Sequence, residues 1–193
     1  MAGVGTTIKG LKDIYYAKLL TDDAPDGGTA GSATYGTPKK LGHAISVEIN
    51  PDVESSTLYG DNMAVATETK VRSYGINIGT TDIPLEDRAI MLGHAYDSVT
   101  GAVTVKGDDK PPYLAVMFEA TSAAGNSQYY KFYKVKFAPS QQSMETEGEN
   151  TNWQTPTLDG TAIARSADGQ VYNMVDSSNA SAASLVSNWF TSV

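Results

Sequence analysis

Three carboxylates, Glu145, Glu147 and Glu149, alternate along one segment, so in an extended chain they share a face. Such a group could act as general acid and base or hold a cation, provided an apolar wall separates the pKa values. No apolar pocket or partner motif accompanies it, and it reads as a solvated edge whose charges discourage stray strand pairing. The only histidines are His43 and His94. One opens an expected strand and the other follows an expected helix, so both read as structural or surface groups rather than metal ligands. The sequence has no cysteine. Disulfides, thiolate nucleophiles and Cys-ligated zinc are thereby excluded. Asp22-Asp23-Ala24-Pro25-Asp26-Gly27 begins like a calcium loop, but Ala24 replaces a ligand and Ala33 stands where a bidentate Glu is required. A turn-rich loop is the better reading. No phosphate-cradling glycine loop, serine elbow or helical zinc-protease motif occurs. With no catalytic, metal or cofactor constellation, no enzyme is expected.

The aromatic group Tyr129, Tyr130, Phe132 and Tyr133 is the main candidate for binding a ligand, since sugars stack on such platforms. That gives the alternative reading, a carbohydrate-binding β-sandwich, although strand packing uses the same residues. Asn179-Ala180-Ser181 matches a glycosylation sequon without a secretory signal to support it.

The 193 residues suit one domain, 1–193, and 40% hydrophobic content suffices for one core. Asp and Glu outnumber Lys and Arg by 22 to 14, a net charge of −8. A protein that grips phosphates clusters Lys and Arg on a face, so any contact with nucleic acid here is expected to be non-adhesive. The start, Met1 to Thr6, has no basic leader or long apolar run and reads as unprocessed and cytoplasmic. No stretch approaches the roughly 18 apolar residues of a membrane span, so no membrane partner is expected.

The elements are mostly strands. Many Gly, Tyr, Thr and Val residues favour a β fold. An N-terminal arm, 1–12, leads into a strand that ends near Leu20, and the Gly/Pro/Asp-rich segment 22–40 reads as a loop excursion. Ile45, Val47 and Ile49 alternate with polar residues, as do Met63, Val65 and Val71, so each run is a half-buried strand. Segment 50–62 reads as an unpaired excursion between them. Its residues Asp52, Glu54, Leu58, Tyr59, Asp61 and Asn62 include few apolar anchors. Thr81-Asp82, Pro84, the acidic Glu86 and Asp87, and Gly93 bound one short helix at about 83–92. Residues 113–137 read as a hairpin turning at 123–126. Short strands are expected around Trp153 to Thr157, Thr161 to Arg165 and Gln170 to Asn173, followed by a C-terminal tail, 176–193. Glu48 and Glu68 lie on the polar faces flanking the excursion. Segment 44–82 holds six acidic and two basic residues, half of the net charge. These two glutamates therefore belong to a surface that is expected to repel polyanions.

Several segments, taken in order, resemble one family. Leu41-Gly42-His43-Ala44 running into Ile45 to Ile49, then Leu58-Tyr59-Gly60-Asp61-Asn62, is similar to the phage major tail proteins, or tail tube proteins, of the phi13 type of long-tailed siphophages. Gly10 to Ala17, Leu92-Gly93-His94, Pro111 to Val116, Tyr133 to Phe137 and the closing Trp189 to Val193 also look like that family, in its order. The resemblance implies a mainly β, tail-tube-type sandwich or barrel with one short helix. It also implies hexameric rings stacked into a tube, with strands combining around a lumen through which DNA leaves; in such a tube Asp52, Glu54, Leu58, Tyr59, Asp61 and Asn62 are expected to meet a neighbouring subunit, and Glu48 and Glu68 to line the lumen. The implied partners are further copies of the chain and the tape measure, tail terminator and distal tail proteins. The implied place is the virion tail after synthesis in a Gram-positive bacterial host, with no cofactor and no catalytic residue.

Overall fold

A computed structural model describes residues 7–26, 29–142, 144, 146 and 153–193. Glu145, Glu147 and Glu149 lie outside them. The strands are β1 Ile8–Asp23, β2 Ser32–Tyr35, β3 Lys39–Lys40, β4 Ala44–Gly60, β5 Met63–Thr80, β6 Ala95–Tyr96, β7 Val103–Thr104, β8 Tyr113–Ser122, β9 Ser127–Ala138, β10 Thr157–Ala162 and β11 Tyr172–Asp176. Two short helices, α1 Leu85–Leu92 and α2 Ala183–Ser187, and a 3-10 turn at Ala180–Ala182 complete the described elements. The fold is mainly β, as expected, but its strands do not close into a barrel and a second short helix stands in the tail.

One antiparallel sheet runs β2-β1-β8-β9-β10-β5-β4, while β3 adds to β1 and β11 to β9. The last two additions are collinear with larger neighbours. On the free side of β9, β11 pairs with Gln128 to Phe132 and β10 with Val135 to Ala138. The expected hairpin 113–137 is β8–β9, and the nearly continuous apolar run of β8 is explained by burial on both faces.

One face carries Ile14, Tyr16, Ile76, Ile78, Leu114, Val116, Phe118, Phe132, Val135 and Phe137, which α1 covers with Met91 and Leu92. Gly93 adopts φ 74° at the C-terminus of α1, the left-handed stop read from sequence. Asp87 does more than complement the helix dipole. It is buried, and its carboxylate accepts from Tyr16 Oη at 2.7 Å and pairs with Lys39 Nζ at 2.6 Å. The helix is thereby tied to the start of the sheet. The other face is covered by the loop after β10 and by the chain's end, where Trp189 is buried.

Several boundaries read from sequence need correction. The segment 50–62 is no unpaired excursion. It is β4 and a two-residue turn, paired residue by residue with β5 as far as Gly60 and Met63. Loop 22–40 contains β2 and β3, held against β1. The arm 1–12 becomes strand from Ile8, because Ile8 to Lys12 find hydrogen-bonding partners on β8. The tail 176–193 begins as strand and then forms the 3-10 turn and α2, opened by Asn179, whose side chain accepts from Ser181 N.

Candidate assembly interface

Only the inner part of β5, from Tyr74 to Gly79, lies between two strands, with β4 on one side and β10 on the other. Beyond it β4 and β5 continue alone as a two-stranded arm from Asp52/Ser73 to the turn. About nine rungs at roughly 3.3 Å each make the arm on the order of 30 Å long. Its residues are exposed on both faces almost throughout: Leu58 at 65%, Tyr59 at 69%, Met63 at 71% and Val65 at 66%. An isolated two-stranded ribbon is marginal in water, so this shape calls for a partner surface.

The sequence builds the arm with three devices. At its base, Asp52 pairs with Ser73 but Val53 with Val71, so Arg72 is the extra residue of a bulge. Arg72 Nε turns back to Glu54 Oε2 at 2.7 Å. A second bulge, on the Val65 side, precedes the tip. At the tip Asp61 and Asn62 take φ of 49° and 62°, a pair of left-handed residues that makes a tight primed turn whose twist matches the strands. Short polar side chains tolerate that conformation.

Alternation sorts the arm into two faces. One bears Glu54, Ser56, Glu68 and Lys70, which line a shallow depression together. The other bears Val53 opposite Val71, Ser55 opposite Thr69, and Thr57 opposite Thr67, the last pair with hydroxyls 3.3 Å apart. The charged face runs back onto the body through Asp52 and Asn50 to Glu48. There Glu48 stands opposite Asn77, whose amide donates to Asp159 across the next strand. Glu48 and Glu68 therefore lie on one side of the ribbon, some eight residues or roughly 26 Å apart, and both are exposed. Leu58 and Tyr59 sit next to the tip that Asp61 and Asn62 form, and Asp52 sits at the base.

The sheet ends in two different strands, β2 and β4. Unlike edges suit head-to-tail contacts, which close into rings when the rotation allows.

The other candidates have structural roles. His94 Nδ1 lies 2.7 Å from Asp109 Oδ2, and the same oxygen accepts from Lys106 N. His43 is exposed, and among the described residues no group of three His, Asp or Glu is placed to hold a metal. Asp22 is engaged from three sides: Lys134 Nζ at 2.6 Å, Ser166 N at 2.9 Å and Ala167 N at 3.0 Å. The aromatic group is internal packing. Tyr130 stacks on Phe118, Phe132 is fully buried, Tyr133 lies under the Arg165 guanidinium, and Tyr129 packs on Trp189 and Phe190.

Sequence reasoning missed the arm as a paired element, although Asp61-Asn62 between two alternating runs was the signal for a hairpin turn. It also missed Lys131, 8% exposed on β9, because a lysine in an alternating strand ordinarily points to water.

No curated protein matches the chain. A family model described as phage tail tube protein matches residues 33–189, a span that includes the whole arm, α1, the strands β3 to β11 and all of β2 but Ser32. A match over that much of the 193 residues, on a mainly antiparallel β fold, establishes that the chain belongs to the phage tail tube protein family.

Proposed function

We propose that this structural tail protein polymerises through its β4–β5 arm into hexameric rings that stack as the conduit for DNA. The observation that carries the reading is the arm itself. It is a well-paired ribbon with both faces open to solvent and exposed apolar side chains concentrated near its tip. Laid against a second copy, the Val53/Val71 face and the Leu58, Tyr59, Met63 and Val65 side chains would leave water, at about 25 cal/mol for each Å² of apolar surface covered. The free edge of β4 would gain backbone partners in the same step. Tape measure, tail terminator and distal tail proteins would be its further partners.

Sedimentation over a wide range of protein concentration tests assembly: the sedimentation coefficient should rise with concentration toward ring-sized and larger species. A constant monomer value would remove the basis for the reading.

Within that polymer the charged face, with Glu48 and Glu68, is the one assigned to the lumen. A polyanion slides past a wall of net negative charge, whereas lysines added there beyond Lys70 would recruit phosphates by releasing counterions. Tubes carrying Glu48→Lys and Glu68→Lys should assemble normally but eject DNA more slowly in low salt, with partial recovery in higher salt. Ejection at the parent rate would put the lumen on another face.

A further inference from the structure

The end of the chain lies as a strap over the sheet face opposite α1, and few side chains secure it. Trp189 Nε1 donates to the Tyr130 carbonyl at 3.2 Å, and its ring meets Tyr129 edge-on at 6.0 Å. Phe190 stacks on Tyr15 at 4.8 Å. Between Asn179 and Val193 only Ala182 and Trp189 are buried. Beneath the strap is Lys131, whose ammonium donates to the Ser192 carbonyl at 2.6 Å and lies 4.7 Å from the centre of the Trp189 ring.

Among the described residues Lys131 is the only buried lysine, and no carboxylate there pairs with it. The charged neighbours are spoken for. On the same face, Glu119 stands opposite Tyr129, one rung of alternation from Lys131, and is paired with Lys12 at 3.1 Å. From the loop after β10 the Arg165 guanidinium faces it with like charge, itself held by Asp168. A carbonyl and an indole face replace only part of the hydration that a buried ammonium loses.

We propose that the strap is held shut against the cost of burying Lys131 as a cation, which makes residues 179–193 the cover of this fold that is poised to open at neutral pH. Opening would return Lys131 to water and bare Tyr15, Met117 and Tyr129. The direction of the pH dependence follows. Burial, with Arg165 adding to it, draws Lys131 down to about 8, whereas in an open strap it titrates at its ordinary value near 10.4. The closed form binds fewer protons, so closure strengthens as pH rises from 7 toward 10. Tyr129, Lys12 and Arg165 keep their protons in that window: Tyr129 is pushed above its ordinary value by burial, Lys12 is pushed up by Glu119, and Arg165 is pushed up by Asp168. This inference does not depend on assembly and can stand or fall apart from it.

The absence of cysteine permits a direct test. In an Ala182→Cys protein, the thiol-labelling rate relative to a free thiol at each pH reads how often the strap opens. Protection should rise by roughly tenfold or more from pH 7 to pH 9.5. Lys131→Met should raise protection at pH 7 and abolish its pH dependence, and Lys131→Arg should keep protection low at both pH values. Protection that stays level or falls in the parent, or that falls in Lys131→Met at pH 7, would overturn the proposal.

Discussion

Asp22 shows how far one side chain can depart from what its neighbours in sequence suggest. Beside Asp23 and Asp26 it looks like part of a solvated acidic loop, yet residues more than 110 positions away make it a clamp between β1, β9 and the loop after β10. Burial works against its ionised form, but the Lys134 ammonium and the Ser166 and Ala167 amides outweigh that and hold it at about 2. A carboxyl depressed in the folded state contributes stability above its unfolded value near 3.9, and loses it as pH falls through the folded one. Asp22→Asn should therefore cost about 1–2 kcal/mol in urea unfolding at pH 7 and much less near pH 2. An equal loss at both pH values would remove the charge from the explanation. Nothing local marks Asp22 for this role, because its partners are supplied by the fold. Gly93 is the contrary case. Its left-handed φ and its stop to α1 follow from a local rule, and a Cβ there would collide with the Lys110 carbonyl.

Alternation in Ile45 to Ile49 and in Met63 to Val71 made β4 and β5 readable as strands, but apart from the turn signal at Asp61-Asn62 nothing local announced how far they pair. Between them the apolar residues Val53, Leu58 and Tyr59 are sparse, and two bulges on β5 shift the register, so alternation does not carry through to the turn. A ribbon with neither face buried also lacks the hydrophobic pattern that ordinarily reveals a strand. The helix was more legible, since Pro84, Glu86, Asp87 and Gly93 are local signals within 10 residues. The arm's separation from the core gives a clear expectation. Removing Ser55 to Thr57 together with their partners Thr67 to Thr69 keeps the register and the turn while shortening the arm by three rungs. Thermal unfolding of the body should shift little, because Ile76 and Ile78 stay packed, while concentration-dependent assembly should be lost. A shortened protein that assembles as the parent does would show that the arm's length is not what joins subunits.

At the scale of the molecule, the mainly β class was legible from composition, and the family from the order of short segments spread over the chain. The layering was not, because it depends on which strands meet. The loop after β10 and the Trp189–Phe190 end cover a face of β8 and β9 that no periodicity announced, and the free edges of β2 and β4 emerge only from the strand order. Under the proposed function, those edges and the projecting arm would be completed by other copies of the chain. Negative-stain electron microscopy of the purified protein at high concentration tests that claim most directly. Six-membered rings and stacked tubes are the expected result. A uniform field of single subunits at every concentration would contradict it.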